Sequence, residues 1–132
     1  MTRDTSNAHF ARAALEAVCY QTNDLLTAMA QDGVQSTTVL VDGGMVANDW
    51  LCQFLADMLQ VTIQRPVNME STALGAAFLA GLELGLYADV DEISQLKAID
   101  KVFTPSIDPD IRARCLGRWN AAVKSTLLYK PV

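Results

Sequence analysis

The stretch VLVDGGMVANDWL, residues 39–51, decides the fold of this chain. Val39, Leu40 and Val41 suit a buried strand. Gly43 and Gly44 permit a sharp turn, and Asn48 can open a helix by capping it. A strand that runs through glycines into a helix is the first half of a strand-helix-strand unit. The second half follows at once. NDWLCQFLADMLQ, residues 48–60, carries a wide apolar face at helical spacing, and VTIQRP, residues 61–66, reads as a second strand closed by Pro66. A connection this short, built around one helix, makes the two strands parallel with a right-handed crossover. TTVLVD, residues 37–42, reads as a strand buried on both faces.

Outward from this core the chain is helical. A first helix is predicted from near Ser6 to near Gly33, with Thr5, Ser6 or Asn7 as cap. Its apolar stripe runs through Ala11, Leu15, Val18, Thr22, Leu25 and Met29. A third helix is predicted over residues 71–84. There Ala73, Ala77, Gly81 and Gly85 recur every fourth residue, a ridge that asks for another backbone packed close against it. Residues 89–96 suggest a short helix. Residues 101–109 read as extended or loop, with a weak strand signal at 101–104, and a last helix is predicted from Pro109 to near Leu128. The fold class is α/β and helix-rich, with a short parallel sheet. Two parallel strands leave unpaired edges, so the sequence reads as one partial domain over residues 1–132. It would be completed by another chain or by self-association.

Composition narrows the function. The 132 residues are 51% apolar, enough for a core, and the net charge of −5 argues against nucleic acid and anionic membranes as partners. The longest apolar run, residues 73–86, is interrupted by Glu83 and is short of the ~20 residues a bilayer demands. The polar N-terminal stretch carries no signal-peptide pattern. Cys19, Cys52 and Cys115 lie far apart among apolar neighbours and read as buried reduced thiols, which suits the cytosol. With one histidine and no paired cysteines, no metal site is expected. Arg112, Arg114 and Arg118 read as a solvated helix face. Asp42 reads as a turn residue, Glu70 and Ser71 as a helix start, His9 as a packing residue where the first helix begins, and Trp50 and Trp119 as packing anchors.

The Gly43-Gly44 turn sits where ligands of open α/β sheets bind, and the helix start beyond it offers free N–H groups. It is neither a phosphate loop with Lys after the glycines nor a GxGxxG fingerprint. Spacing alone leaves a nucleotide role and a plain turn both open.

VDGGMVANDWLCQFLADML, followed by VTIQRPVNMESTALGAAFLAGLELGLY, resembles the C-terminal part of the glycerol kinases. These belong to the carbohydrate kinases of the ribonuclease H-like, actin-like ATPase fold. The resemblance begins at Thr2-Arg3, takes in the helix from His9 to Glu16 and continues through Phe103-Thr104-Pro105. DGGxxxN, the Arg-Pro pair and ESTALGAA are closer to glycerol kinases than to pentulose kinases, which tend to carry serine at the position of Asn48. Tyr87 and Glu83 are modest departures. The resemblance implies that Gly44, beside Gly43, lines an adenine and ribose pocket and that Asn48 hydrogen-bonds the nucleotide. Asn48 can cap its helix at the same time. The implied ligands are ATP or ADP, with magnesium held by groups outside this chain. The base, phosphate loops and glycerol pocket lie upstream in the family, so no residue here is expected to be catalytic. The chain is thus read as the last quarter of an ATP-dependent glycerol kinase, probing two outcomes: inactivity unless joined to the remainder, or a non-catalytic remnant that serves only as an oligomerising structural module.

Overall fold

The computed structural model describes residues 2–128. It contains α1 (Asn7–Gln31), β1 (Thr38–Leu40), α2 (Asp49–Leu59), β2 (Thr62–Pro66), α3 (Ser71–Glu83), α4 (Val90–Gln95), β3 (Ile99–Phe103) and α5 (Pro109–Leu127). The helix-strand-helix-strand-helix order is the one the sequence predicts. Ser6 caps α1, with its backbone N–H donating to His9 Nδ1 at 3.1 Å, so His9 acts at the start of the helix. Asp89 and Asp108 cap α4 and α5, and Pro109 occupies the first turn of α5.

The sheet departs from expectation. It has three strands in the order β1-β2-β3, with β1 and β2 parallel and β2 and β3 antiparallel. The weak signal near Lys101 is a real strand. Its polar residues hid it, because only Phe103 points into the core. β1 is not buried on both faces: Thr38 and Val39 are half-buried and Leu40 is exposed.

The core lies on one face of this sheet. Val39, Ile63 and Phe103 meet α2 there, and α2 supplies Leu51, Cys52, Phe54, Leu55, Ala56 and Met58. α1 adds Cys19 and Tyr20. Tyr20 stands edge-on to Phe54 and stacks on Trp119 of α5, with centroids 5.7 and 5.5 Å apart. Burial of each large side chain here is worth roughly 1.5–3 kcal/mol. Asp57 of α2 is buried and accepts from the N–H groups of Ser106 and Ile107, pinning the turn before α5.

Three further expectations need correction. The stripe predicted on α1 is not the face it buries, since Val18, Leu25 and Met29 stay exposed while Cys19 and Tyr20 turn inward. Cys115 is only half-buried, whereas Cys19 and Cys52 are fully covered; all three are free thiols, and burial pushes the Cys19 thiol up to about 12. Arg112 does not belong to a solvated face. Its guanidinium folds inward to the Met58 carbonyl, at 2.6 and 2.9 Å, and takes up a chain-end acceptor of α2. Along the small-residue ridge that begins on α3, Gly85 has open space among the described residues where a Cβ would stand. Gly81 instead makes room for the Tyr87 ring, whose nearest atom lies 2.6 Å from where a Cβ would stand.

Opposite the core, α3 and α4 stand off from the sheet. Between them and Leu40, Val41 and Pro66 lies an open, mostly apolar cavity of about 590 Å³.

Candidate functional site

The carboxyl ends of the parallel strands β1 and β2 lie side by side, and their loops are tied together: the Gly43 N–H donates to the Met69 carbonyl at 3.0 Å. Gly43 has φ 87° and ψ 166°, a left-handed backbone that favours glycine. The chain then enters a 3-10 turn over Gly44–Ala47 before α2 begins. This turn leads to the helix start at Asn48, where the sequence placed it. A 3-10 turn leaves its leading N–H groups without internal partners. Those of Gly44 and Met45 have no acceptor among the described residues. Gly44 is exposed, and a Cβ built on it meets nothing within 4 Å.

Asn48 closes the turn. Its Oδ1 accepts from the N–H groups of Trp50 and Leu51, at 3.0 and 3.3 Å, so the capping role is observed. The side-chain amide NH2 has no acceptor among the described residues and stays available as a donor on an exposed residue. The turn therefore offers bare backbone at Gly44, free N–H groups, and an amide donor four residues on.

The other candidates do not gather here as chemistry. Asp42 is exposed and lines the apolar cavity, while Glu70 and Ser71 begin α3. Trp50 stacks on Phe54 at 5.0 Å with Arg12 above its ring at 4.7 Å, a packing role. Trp119 donates its indole N–H to Asp24 at 2.7 Å. Among the described residues no group of three or more His, Cys, Asp or Glu side chains could hold a metal ion, and no helix is long and apolar enough to cross a membrane.

One cluster beside the turn escapes a reading of the sequence. Arg65 of β2 is buried and reaches the turn, donating to the Val46 carbonyl at 2.9 Å and to Asp49 Oδ1 at 2.8 Å. Asp100 holds the other edge of its guanidinium at 2.7–2.8 Å, and Lys101 takes the second oxygen of Asp49 at 2.6 Å. Lys101 first and Arg65 next hold the Asp49 carboxyl below its usual range. A signal was present: Arg65 shares the inward parity of Ile63, and a charge on that face demands partners.

Residues 1–84 match the FGGY family of carbohydrate kinases, C-terminal domain. A glycerol kinase from Gluconobacter oxydans (strain 621H) is 49% identical over 128 residues, covering 96% of this chain and 25% of that protein. One from Rhodospirillum centenum (strain ATCC 51521 / SW) is 52% identical over 126 residues, with the same two shares. The crystal structure of Plasmodium falciparum glycerol kinase with ADP superposes with a TM-score of 0.82 at 34% identity, covering 98% of this chain and 26% of that one. The chain thus spans about a quarter of the length of the relatives it matches.

Proposed function

This chain belongs to the FGGY family of carbohydrate kinases, and from that premise we propose that it forms the adenine side of an ATP-dependent glycerol kinase. The observation that carries the reading is the turn itself: an uncovered Gly44 at the carboxyl end of the sheet, followed by Asn48 with a free amide donor, in a chain similar to a glycerol kinase solved with ADP. On this reading the purine lies against the backbone at Gly44, where any Cβ would push it out. Gly43 supplies the bend, and the Asn48 amide donates to an acceptor on the nucleotide.

The reaction would move the γ-phosphoryl of ATP to a glycerol hydroxyl, giving ADP and glycerol 3-phosphate. Such transfer rests on positioning and on stabilising the phosphoryl charge. These residues contribute the positioning of the nucleotide. The base, the phosphate-holding groups and the glycerol pocket are proposed to reside in the portion that the longer relatives carry beyond this match. Magnesium accompanies ATP in such transfers, and the groups that would hold it are proposed to lie in that same portion. A cytoplasmic location fits glycerol phosphorylation by ATP and the free thiols.

Isothermal titration with MgADP and MgATP tests the nucleotide role. Binding tighter than about 1 mM is expected, and weaker binding removes that role for the chain alone. The exposed sheet edge and apolar cavity favour a second reading, an oligomerising structural module without catalysis. Mixing the chain with the upstream three-quarters of a glycerol kinase separates the two. Restored glycerol phosphorylation supports the first, and none leaves the second.

A further inference from the structure

The four residues of the 3-10 turn are too few to hold themselves in place, and its last carbonyls have no helical partners. Their partners come mainly from the sheet, with the Cys52 thiol of α2 adding a bond to the Val46 carbonyl at 3.2 Å. Arg65 Nη1 donates to the Val46 carbonyl at 2.9 Å and reaches the Ala47 carbonyl at 3.4 Å. The same nitrogen meets Asp49 Oδ1 at 2.8 Å. These acceptors flank Asn48 on both sides. The guanidinium is in turn fixed by Asp100 of β3, which takes Nε at 2.8 Å and Nη2 at 2.7 Å, and Lys101 of the same strand secures the second Asp49 oxygen. Two strands thereby grip the turn through one planar fork. Lysine cannot reproduce this, because its three donors radiate from a single nitrogen. The Arg65 side chain is only 11% exposed, whereas Asp49 and Asp100 are 54% and 48% exposed, so the guanidinium is held from within while its carboxylate partners meet solvent.

We propose that Arg65 is the positioning residue of the nucleotide turn: held by Asp100, it fixes Val46, Ala47 and Asp49 and so sets where Gly44 and Asn48 stand against the adenine. This inference rests on the nucleotide reading of the turn. Arg65 touches no part of the nucleotide itself; it acts through the backbone.

The test compares Arg65→Lys, Asp49→Asn and, as a control for lost stability, Ile63→Val in the 132-residue chain. Each is measured for MgADP affinity by titration, for amide hydrogen exchange at Val46 and Asn48, and for its urea midpoint. Arg65→Lys is expected to weaken MgADP binding about tenfold and to speed exchange at the turn by a similar factor. Asp49→Asn, which removes one of the anchors, is expected to weaken binding about threefold. Ile63→Val lowers the urea midpoint but leaves affinity and turn exchange unchanged. If Arg65→Lys does not fold, Asp49→Asn carries the same readouts, since that side chain is half exposed. Affinity and turn exchange in the Arg65 and Asp49 variants within about twofold of the unaltered chain overturn the proposal, as does an equal loss of affinity in Ile63→Val. No MgADP binding by the unaltered chain overturns the nucleotide reading instead, and exchange at the turn then decides alone whether Arg65 holds it.

Discussion

Asn48 uses its two ends differently, and this separates stability from binding at a single residue. Oδ1 caps α2, while the amide NH2 remains a free donor among the described residues. Asn48→Asp keeps the acceptor and adds a charge that the helix N-terminus favours, so stability is expected to hold or rise. The same change removes the donor and is expected to weaken MgADP binding about tenfold. Asn48→Ala loses the cap as well, at about 1 kcal/mol. Urea unfolding and titration on the two variants check both halves. The neighbouring glycines divide in the same way. Gly43→Ala forces a Cβ onto φ 87° and is expected to cost about 1–2 kcal/mol. Gly44→Ala meets open space within the protein, so its stability should change by less than about 0.5 kcal/mol while nucleotide affinity falls. Both glycines and the asparagine were legible in the sequence. Which glycine carries the bend was not, because φ depends on how Met69 ties the turn down.

At the scale of elements, the start of α2 is joined to β2 and β3 by charge. Lys101 and Arg65 hold the Asp49 carboxyl below 3.8, its unperturbed value. As pH falls, the unfolded chain therefore takes up this proton before the folded one does. The stabilisation is complete above 3.8 and is lost as pH drops through the lower folded value. The carboxylate is half exposed, so the effect is modest. The urea midpoint is expected to fall as pH drops below the unperturbed value of 3.8, and Asp49→Asn is expected to flatten that fall. Equal slopes in the two proteins would contradict it. The helices, their caps and the parallel pair were readable from periodicity and from Asn48, Asp89, Asp108 and Pro109. β3 was nearly invisible, since Asp100 and Lys101 look like loop residues until their partners Arg65 and Asp49 are known.

At the scale of the whole molecule, the two faces of the sheet are unequal. One is filled by α2; the other borders the 590 Å³ cavity, with Leu40 and Leu79 exposed at 52% and 69%. β1 ends the sheet and keeps a free edge among the described residues. Apolar surface beside an open edge favours association. Light scattering at tens of micromolar is expected to show a species larger than a monomer, and a monomer would contradict it.

By itself the sequence determined the strand-turn-helix-strand unit, the order of elements, the family and the glycines and asparagine of the turn. These are local: glycine freedom, capping chemistry and hydrophobic period act within a few residues of one another. Only the tertiary structure decided that β3 joins the sheet, that α1 buries Cys19 and Tyr20 rather than its longest apolar stripe, and that Arg65 grips the turn through Asp49 and Asp100. Each of those depends on groups brought together from distant parts of the chain, where a buried charge takes whatever partners the fold places beside it and an apolar stripe is covered only if something is packed against it.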